Sequence, residues 1–367
     1  MQAVRLADIC SPKQWKTIAT KDLKQQGYLV YGANGVIGYN DTYNHEEPTL
    51  LITCRGATCG EINISEPKSY INGNAMCLDN LSRNCDIKYL FHTLKNYDFS
   101  RGVISGTAQP QITIERLKNV KISLPPLPEQ QRIAVELDTV CNVLAKQKKQ
   151  FELFGELVKS KFNEMFGDPV KNDKGWDVKR LAEACTAIGD GLHGTPKYSV
   201  DGDYYFINGS NLFDGKISVN NQTQKVDSIE YKKHRIDFCP NTIFISINGS
   251  LGKVAFYDNE QIVLGKSACY LNLKDNMNKQ FVRRVFESNE FQLFLHGEAT
   301  KSTIKNVSLK TMRNFLLILP PFPLQQQFAD FVNQVEQSKA KLKAEIEQTE
   351  TLYKALMQKY FGGGDEE

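Results

Sequence analysis

A chain of 367 residues, 41% of them hydrophobic, is long enough for two domains of ordinary size with real cores. A net charge of +3 is too slight to argue for a nucleic-acid partner by itself, and nine cysteines without a Cys-x-x-Cys pair exclude a disulfide framework or zinc ribbon in favour of reduced thiols. The N-terminal MQAVRLADIC has no signal region and no apolar run approaches membrane-spanning length, so a soluble, cytoplasmic protein with no membrane partner is expected.

In chain order, residues 1–124 read as a globular α+β domain. Residues 49–53 (TLLIT) form a short β-rich run after Pro48, and residues 88–96 have helical spacing. Two glycine-rich stretches follow neither the P-loop nor the Rossmann pattern: Gly32-Ala33-Asn34-Gly35-Val36-Ile37-Gly38 and Arg55-Gly56-Ala57-Thr58-Cys59-Gly60. Tight turns are the default reading of both, and close approach to a DNA backbone is the second. LPPLPEQQRI, from Leu124, then leads into a helix over residues 125–168. Its apolar seam is Ile133, Leu137, Val140, Leu144, Phe151, Phe154 and Val158, with Gln147 as the polar member. Gly167-Asp168-Pro169 stops it.

Residues 169–319 read as a second α+β domain. It carries the polar loop DGLHGTPKY at 190–198, the β-rich run TIFIS at 242–246 and helical spacing over 278–295. LPPFPLQQQF leads into residues 320–367, a second helix with the seam Phe328, Val332, Val335, Leu342, Ile346, Tyr353 and Leu356, where Lys339 and Thr349 are polar. Gly362-Gly363-Gly364 ends it. Each helix is expected to run about 39 residues, roughly 58 Å at about 1.5 Å per residue. The two helices are expected to pack antiparallel against each other as a spacer.

The two halves are copies of one plan. Leu124-Pro125-Pro126 matches Leu319-Pro320-Pro321 at an offset of 195, and that offset carries Ile122 to Leu317, Gln130-Gln131 to Gln325-Gln326 and Phe166-Gly167 to Phe361-Gly362 without a gap. Upstream the offset shrinks. Arg5-Leu6-Ala7-Asp8 resembles Arg180-Leu181-Ala182-Glu183 at 175, and Gly73-Asn74-Ala75-Met76-Cys77 resembles Gly265-Lys266-Ser267-Ala268-Cys269 at 192. Length therefore varies in the globular parts and is constant in the helices, as expected where surface loops carry the function.

Catalytic and metal patterns are missing. None of the five histidines forms HxxxH or HExxH, so neither metal nor cofactor is expected. His193 reads as a lone histidine without an acidic or cysteine partner at useful spacing, better suited to contacting a backbone or stacking on a base. There is no Asn-Pro-Pro-Tyr/Phe, nuclease, helicase or Walker signature, so a non-catalytic module is expected.

The plan of two variable domains alternating with two near-identical helices resembles the specificity (S) subunit of type I restriction-modification systems. The phrases ISGTAQPQITIERLKNVKISLPPLPEQQRI, TCRGATCGEINISEP, DGLHGTPKY and the FGDP after the first helix carry the resemblance, which covers essentially the whole chain. Leu324 stands where the first copy has Glu129, a departure that touches only a local capping role for that acid. The resemblance implies two target-recognition domains, each reading one half of a split, asymmetric sequence in double-stranded DNA. It also implies helices that set the spacing and dock two modification (M) subunits, which carry S-adenosylmethionine and methylate adenine, with restriction (R) subunits as possible further partners. Base readers are expected among loop Arg, Lys, Asn, Gln and His residues. The candidates are Asn34, Arg55, Asn74, Arg101 and Gln109 in the first domain and His193, Lys197, Asn208, Asn248, Lys253, Lys266 and Lys301 in the second. A coiled-coil scaffold whose globular ends bind proteins is the competing reading, favoured by the low net charge.

Overall fold

The strand Leu50–Thr53 is buried at all 4 of its residues, which requires cover on both faces. In the computed structural model, which describes residues 3–32, 34–106, 109–300, 303 and 305–362, that strand lies inside a four-stranded antiparallel sheet. The strand order is Ser11–Gln14, Ala75–Asp79, Leu50–Thr53, Ile62–Ile64. Period-two alternation divides its side chains. Leu50 and Ile52 pack with Met76, Leu90 and Leu94, the last two from the helix Ile87–Asn96. Leu51 packs on the opposite side with Tyr31, Ile71 and Cys77. Tyr31 and Ile71 belong to a second sheet, ordered Gly35–Asn40, Tyr28–Gly32, Tyr70–Ile71, whose last two strands run parallel. Asp86 caps the helix by accepting from the Lys88 and Tyr89 amides.

The second copy repeats this topology. Its four-stranded sheet is ordered Cys185–Asp190, Ala268–Leu273, Thr242–Ser246, Val254–Phe256. Its three-stranded sheet is ordered Lys225–Val226, Tyr204–Ile207, Ile262–Leu264, again with one parallel pair. In both copies a short antiparallel ladder joins the domain's first strand to its last. Ala3–Arg5 pairs with Lys121–Ser123, and Val178–Arg180 with Leu316–Ile318. The amide after each first strand bonds the same relative carbonyl, Leu6 to Val120 at 2.9 Å and Leu181 to Phe315 at 2.8 Å. The stretch expected to be helical over 278–295 is two helices, Lys279–Glu287 and Asn289–Gly297. Ser288 divides them because it is extended and its hydroxyl caps the second, accepting from the Phe291 amide at 3.2 Å.

The long helices are Leu127–Phe166 and Phe322–Phe361, each of 40 residues. The chain divides into two compact units, Met1–Lys149 with Ala344–Glu367, and Gln150–Lys343, so each helix contributes to both. Within the first unit Ile133, Ala134, Leu137 and Val140 pack with Leu356 and Met357, and Lys148 pairs with Glu350 at 2.7 Å. Within the second, Val158, Phe162 and Phe166 pack with Phe328, Val332 and Val335. In both units residue numbers rise along one helix as they fall along the other, which is antiparallel packing. Of the seam residues, Ile133, Leu137, Val140, Val158, Phe328, Val332, Val335, Leu342 and Leu356 are buried. Leu144, Phe151, Phe154, Ile346 and Tyr353 are half-buried. The first helix stops at Phe166, with Gly167 at φ +74°. Gly363 and Gly364 lie outside the described residues.

The repeated LPPLPEQQ and LPPFPLQQ segments act as clamps. Gln130 is 0% exposed; its Oε1 accepts the Asp86 amide at 2.8 Å, and its Nε2 donates to the Asn84 and Pro125 carbonyls at 2.9 and 2.8 Å. Gln325 is 1% exposed, accepts the Asn278 amide at 3.0 Å and donates to the Pro320 carbonyl at 2.8 Å. Asp86 and Asn278 are themselves N-caps of a domain helix. One amide side chain in each copy therefore ties the start of a long helix to the start of a domain helix.

Candidate nucleic-acid interface

In the first copy the buried strand Leu50–Thr53 runs out into the loop over 54–60. Cys54 still accepts from the Ile112 amide at 3.0 Å, Arg55 bridges Gln111, and the Gly56 amide donates to Pro110 at 3.1 Å. In the second copy Thr242–Ser246 does the same. Ile247 accepts from Val307 at 2.8 Å, Asn248 bridges Asn306, and Gly249 donates to Lys305 at 2.9 Å. The structure thus places Arg55 and Asn248 at one equivalent point of the two copies. Gly56 and Gly249 follow them at φ +91° and +75°, where an added Cβ would meet nothing within 4 Å. Left-handed backbone, and no crowding, is what calls for glycine there, and the loop backbone stays open on that side.

Around the first loop the structure gathers four of the candidates. Arg55, Asn74 and Gln109 are exposed; Asn74 directly precedes the strand paired with Leu50–Thr53, and Gln109 adjoins Pro110. Asn34, exposed at the end of the Tyr28–Asn40 hairpin, accepts a hydrogen bond from the Thr58 hydroxyl of that loop. Arg101 lies on the turn after the domain helix and pairs with Asp98 at 3.1 Å.

In the second copy His193, Asn248 and Lys266 line one cleft of about 380 Å³ together with Asp190, Asn306 and Ser308. The expectation of a lone histidine is corrected here: His193 Nε2 lies 2.7 Å from Asp190 Oδ2. Three residues apart at a strand end, the two side chains turn to the same side, a pairing that sequence spacing understates. Gly191 permits the arrangement, since a Cβ there would come within 2.1 Å of the Leu264 carbonyl oxygen. That close approach lets the Leu192 amide reach Leu264 at 2.7 Å and the Lys266 amide reach Leu192 at 3.1 Å, bringing His193 beside Lys266.

The remaining candidates are placed elsewhere. Lys197 is exposed, and its amide donates to Glu230 at 3.1 Å, which holds that carboxyl below its usual range. Asn208 is half-buried and accepts from the Ser267 hydroxyl at 3.0 Å, a packing contact inside the domain. Lys253 is half-buried, with its amide bonded to Ser246 Oγ at 2.8 Å. Lys301 lies outside the described residues. Sequence reasoning passed over Asn306, which the 195-residue offset would have found as the counterpart of Gln111. The first cluster presents a guanidinium and amides and the second an imidazole, an ammonium and amides, donor and acceptor groups that base edges and phosphates take.

Comparison with known proteins completes the picture. The sequence model described as the type I restriction modification DNA specificity domain matches residues 1–152 and 173–348. The type I restriction enzyme MjaVIII specificity subunit of Methanocaldococcus jannaschii is 28% identical over 138 residues, 37% of this chain and 32% of its own length. The EcoprrI specificity subunit of Escherichia coli is 28% identical over 117 residues, 31% of this chain and 29% of its own length. These matches thus span about a third of the relatives' length. In fold, the chain is similar to the S subunit of a type I restriction-modification system from M. genitalium, with a TM-score of 0.64 at 17% identity over 98% of this chain and 96% of that one. With two matched repeats covering most of its length, each built on the same two sheets, the chain belongs to the type I restriction-modification DNA specificity family.

Proposed function

We propose that this chain is the non-catalytic sequence-reading subunit of a type I restriction-modification complex. Its two domains, 1–124 and 169–319, read the two halves of a bipartite, asymmetric DNA target. Its helices, within 125–168 and 320–367, dock two adenine-methylating M subunits and, where present, R subunits. The observation that carries this reading is the equivalence of Arg55 and Asn248 at one bridge of a shared scaffold. Arginine pairs bidentately with guanine and asparagine with adenine, so one scaffold offers two different readers. Asn74 and Lys266 lie one and two residues before the equivalent strands Ala75–Asp79 and Ala268–Leu273, a further difference between the two copies beside the loops. Two modest sites joined in one molecule gain affinity and specificity through effective concentration.

Methylome sequencing of a host with and without this gene tests the reading. One split methylated-adenine motif is expected to vanish with the gene, and exchanging residues 1–124 for another such domain is expected to change one half-site only. A change in both halves, or in neither, overturns the modular assignment. If the complex reconstituted with its methyltransferase has no salt-dependent DNA affinity, the coiled-coil scaffold reading replaces this one.

A further inference from the structure

The strands that end at the recognition loops of the first copy have a second cleft at their other end. Ala75–Asp79 begins next to Asn74 and finishes at this cleft of about 430 Å³, which Trp15, Asn44, His45 and Asp79 line. Cys77 and Asp79, two apart on one strand, face the same side of the sheet.

The hydrogen bonds around His45 leave one atom pair unexplained. Asn44 has its orientation set by backbone: its Oδ1 accepts the Ile71 amide at 2.8 Å and its Nδ2 donates to the Ile71 carbonyl at 3.0 Å. The atom that meets His45 Nδ1 at 2.7 Å is therefore an acceptor, so Nδ1 carries the ring hydrogen. Nε2 then faces Asp79 Oδ1 at 3.0 Å, with the two side chains only 10% and 13% exposed. A neutral imidazole would set lone pair against lone pair there. Either a proton, on the ring or on the carboxyl group, or a metal ion lies between them.

The third neighbour favours the metal. Cys77 Sγ, His45 and Asp79 offer ligand atoms all within 4.8 Å of one another. The outer partners are those a metal site needs. Asn44 holds the distal ring nitrogen, and Trp15 Nε1 donates to Asp79 Oδ2 at 3.0 Å. One nitrogen, one sulfur and one oxygen suit a borderline-soft divalent ion, at about 2.0–2.3 Å from each ligand.

We propose that His45, Cys77 and Asp79 form a zinc-type divalent metal site that pins the segment around His45 to the first domain's sheet, with its fourth position open to the cleft. In the register of the equivalent ladders the second copy has Tyr270 and Asn272 where the first has Cys77 and Asp79, so one ion per chain is expected. Sequence spacing hides the site, because His45 lies 32 residues before Cys77 and reaches it only across the sheets.

Titration of the chelator-treated full-length chain with cobalt(II) chloride tests the assignment. One equivalent is expected to bind with a thiolate-to-cobalt charge-transfer band, and that band is expected to be lost in Cys77→Ser. Zinc chloride is expected to raise the Tm, and Asn44→Ala to weaken zinc by about 10–100-fold while keeping the cobalt thiolate band. Absence of the thiolate band in the wild-type chain overturns the proposal without relying on any variant. So does a His45 ring that NMR finds doubly protonated at saturating zinc.

Discussion

At the residue scale, the glutamine of the repeated proline-rich segment carries a larger structural role than its neighbours. Gln130 is fully buried and makes three hydrogen bonds, one to a helix cap and two to carbonyls. Truncation leaves an amide and two carbonyls without partners, so Gln130→Ala is expected to cost about 2–4 kcal/mol in denaturant unfolding. Gln130→Glu is expected to be worse, since it replaces both donated bonds with oxygen facing oxygen. A second residue-scale expectation concerns His92, which is 1% exposed, bonds Asp138 at 2.8 Å through Nε2 and leaves Nδ1 buried without a partner. Burial holds its imidazole below the ordinary 6.5, only partly opposed by Asp138. The unfolded chain therefore binds a proton at His92 before the folded chain does. Stability from this group is complete above pH 6.5 and falls as the pH drops below it. Thermal unfolding is expected to show that loss in the wild-type chain and a shallower slope between pH 6.5 and 5 in His92→Gln.

At the scale of elements, the two long helices show what a heptad pattern reveals and what it leaves out. The spacing of Ile133, Leu137 and Val140 identified a seam. The pattern did not identify Phe162 and Phe166, which pack against Phe281 and Phe328, mostly edge-on, in the second unit's core at ring separations of 4.8 to 5.8 Å. These positions answer to a third partner, the domain helix bearing Phe281, and a two-helix pattern has no place for it. Phe162→Ala is expected to destabilise by about 3–5 kcal/mol, as a fully buried aromatic does. Phe151→Ala, half-buried under Lys339, is expected to cost less than half of that in the same assay. Gln147 gives the opposite sign. Its Oε1 is buried without a hydrogen-bond partner, so Gln147→Leu is expected to stabilise by about 1–2 kcal/mol, with any loss appearing in helix register instead.

At the scale of the whole molecule, the chain is one topology made twice, with different residues at equivalent loop positions. Arg55→Ala is expected to relax methylation specificity at one half-site by about 1–3 kcal/mol, leaving the other half-site unchanged. Lys266→Ala is expected to act on the opposite half, and if it contacts phosphate, to lower the salt dependence of DNA binding by about one charge. Methylation assays on targets varied in one half at a time measure both. Coupled changes in both halves would contradict two independent readers.

The sequence by itself determined the duplication and the two long helices with their apolar seams, because these rest on local periodicity and on a 195-residue offset held without a gap from Ile122 to Gly362, while the family was legible as a resemblance of motif phrases. Leu50-Leu51-Ile52-Thr53 was legible as a strand from its apolar run, but not that its alternate residues serve two different packing layers. Tertiary structure alone decided the convergence of side chains distant in sequence. His193, Asn248 and Lys266 share a cleft because Gly191 lets two backbones approach closely, and His45 meets Cys77 and Asp79 only once the sheets have formed. Periodicity records which face of an element is buried, whereas a site depends on which elements meet, and that is settled by packing between segments far apart in the chain.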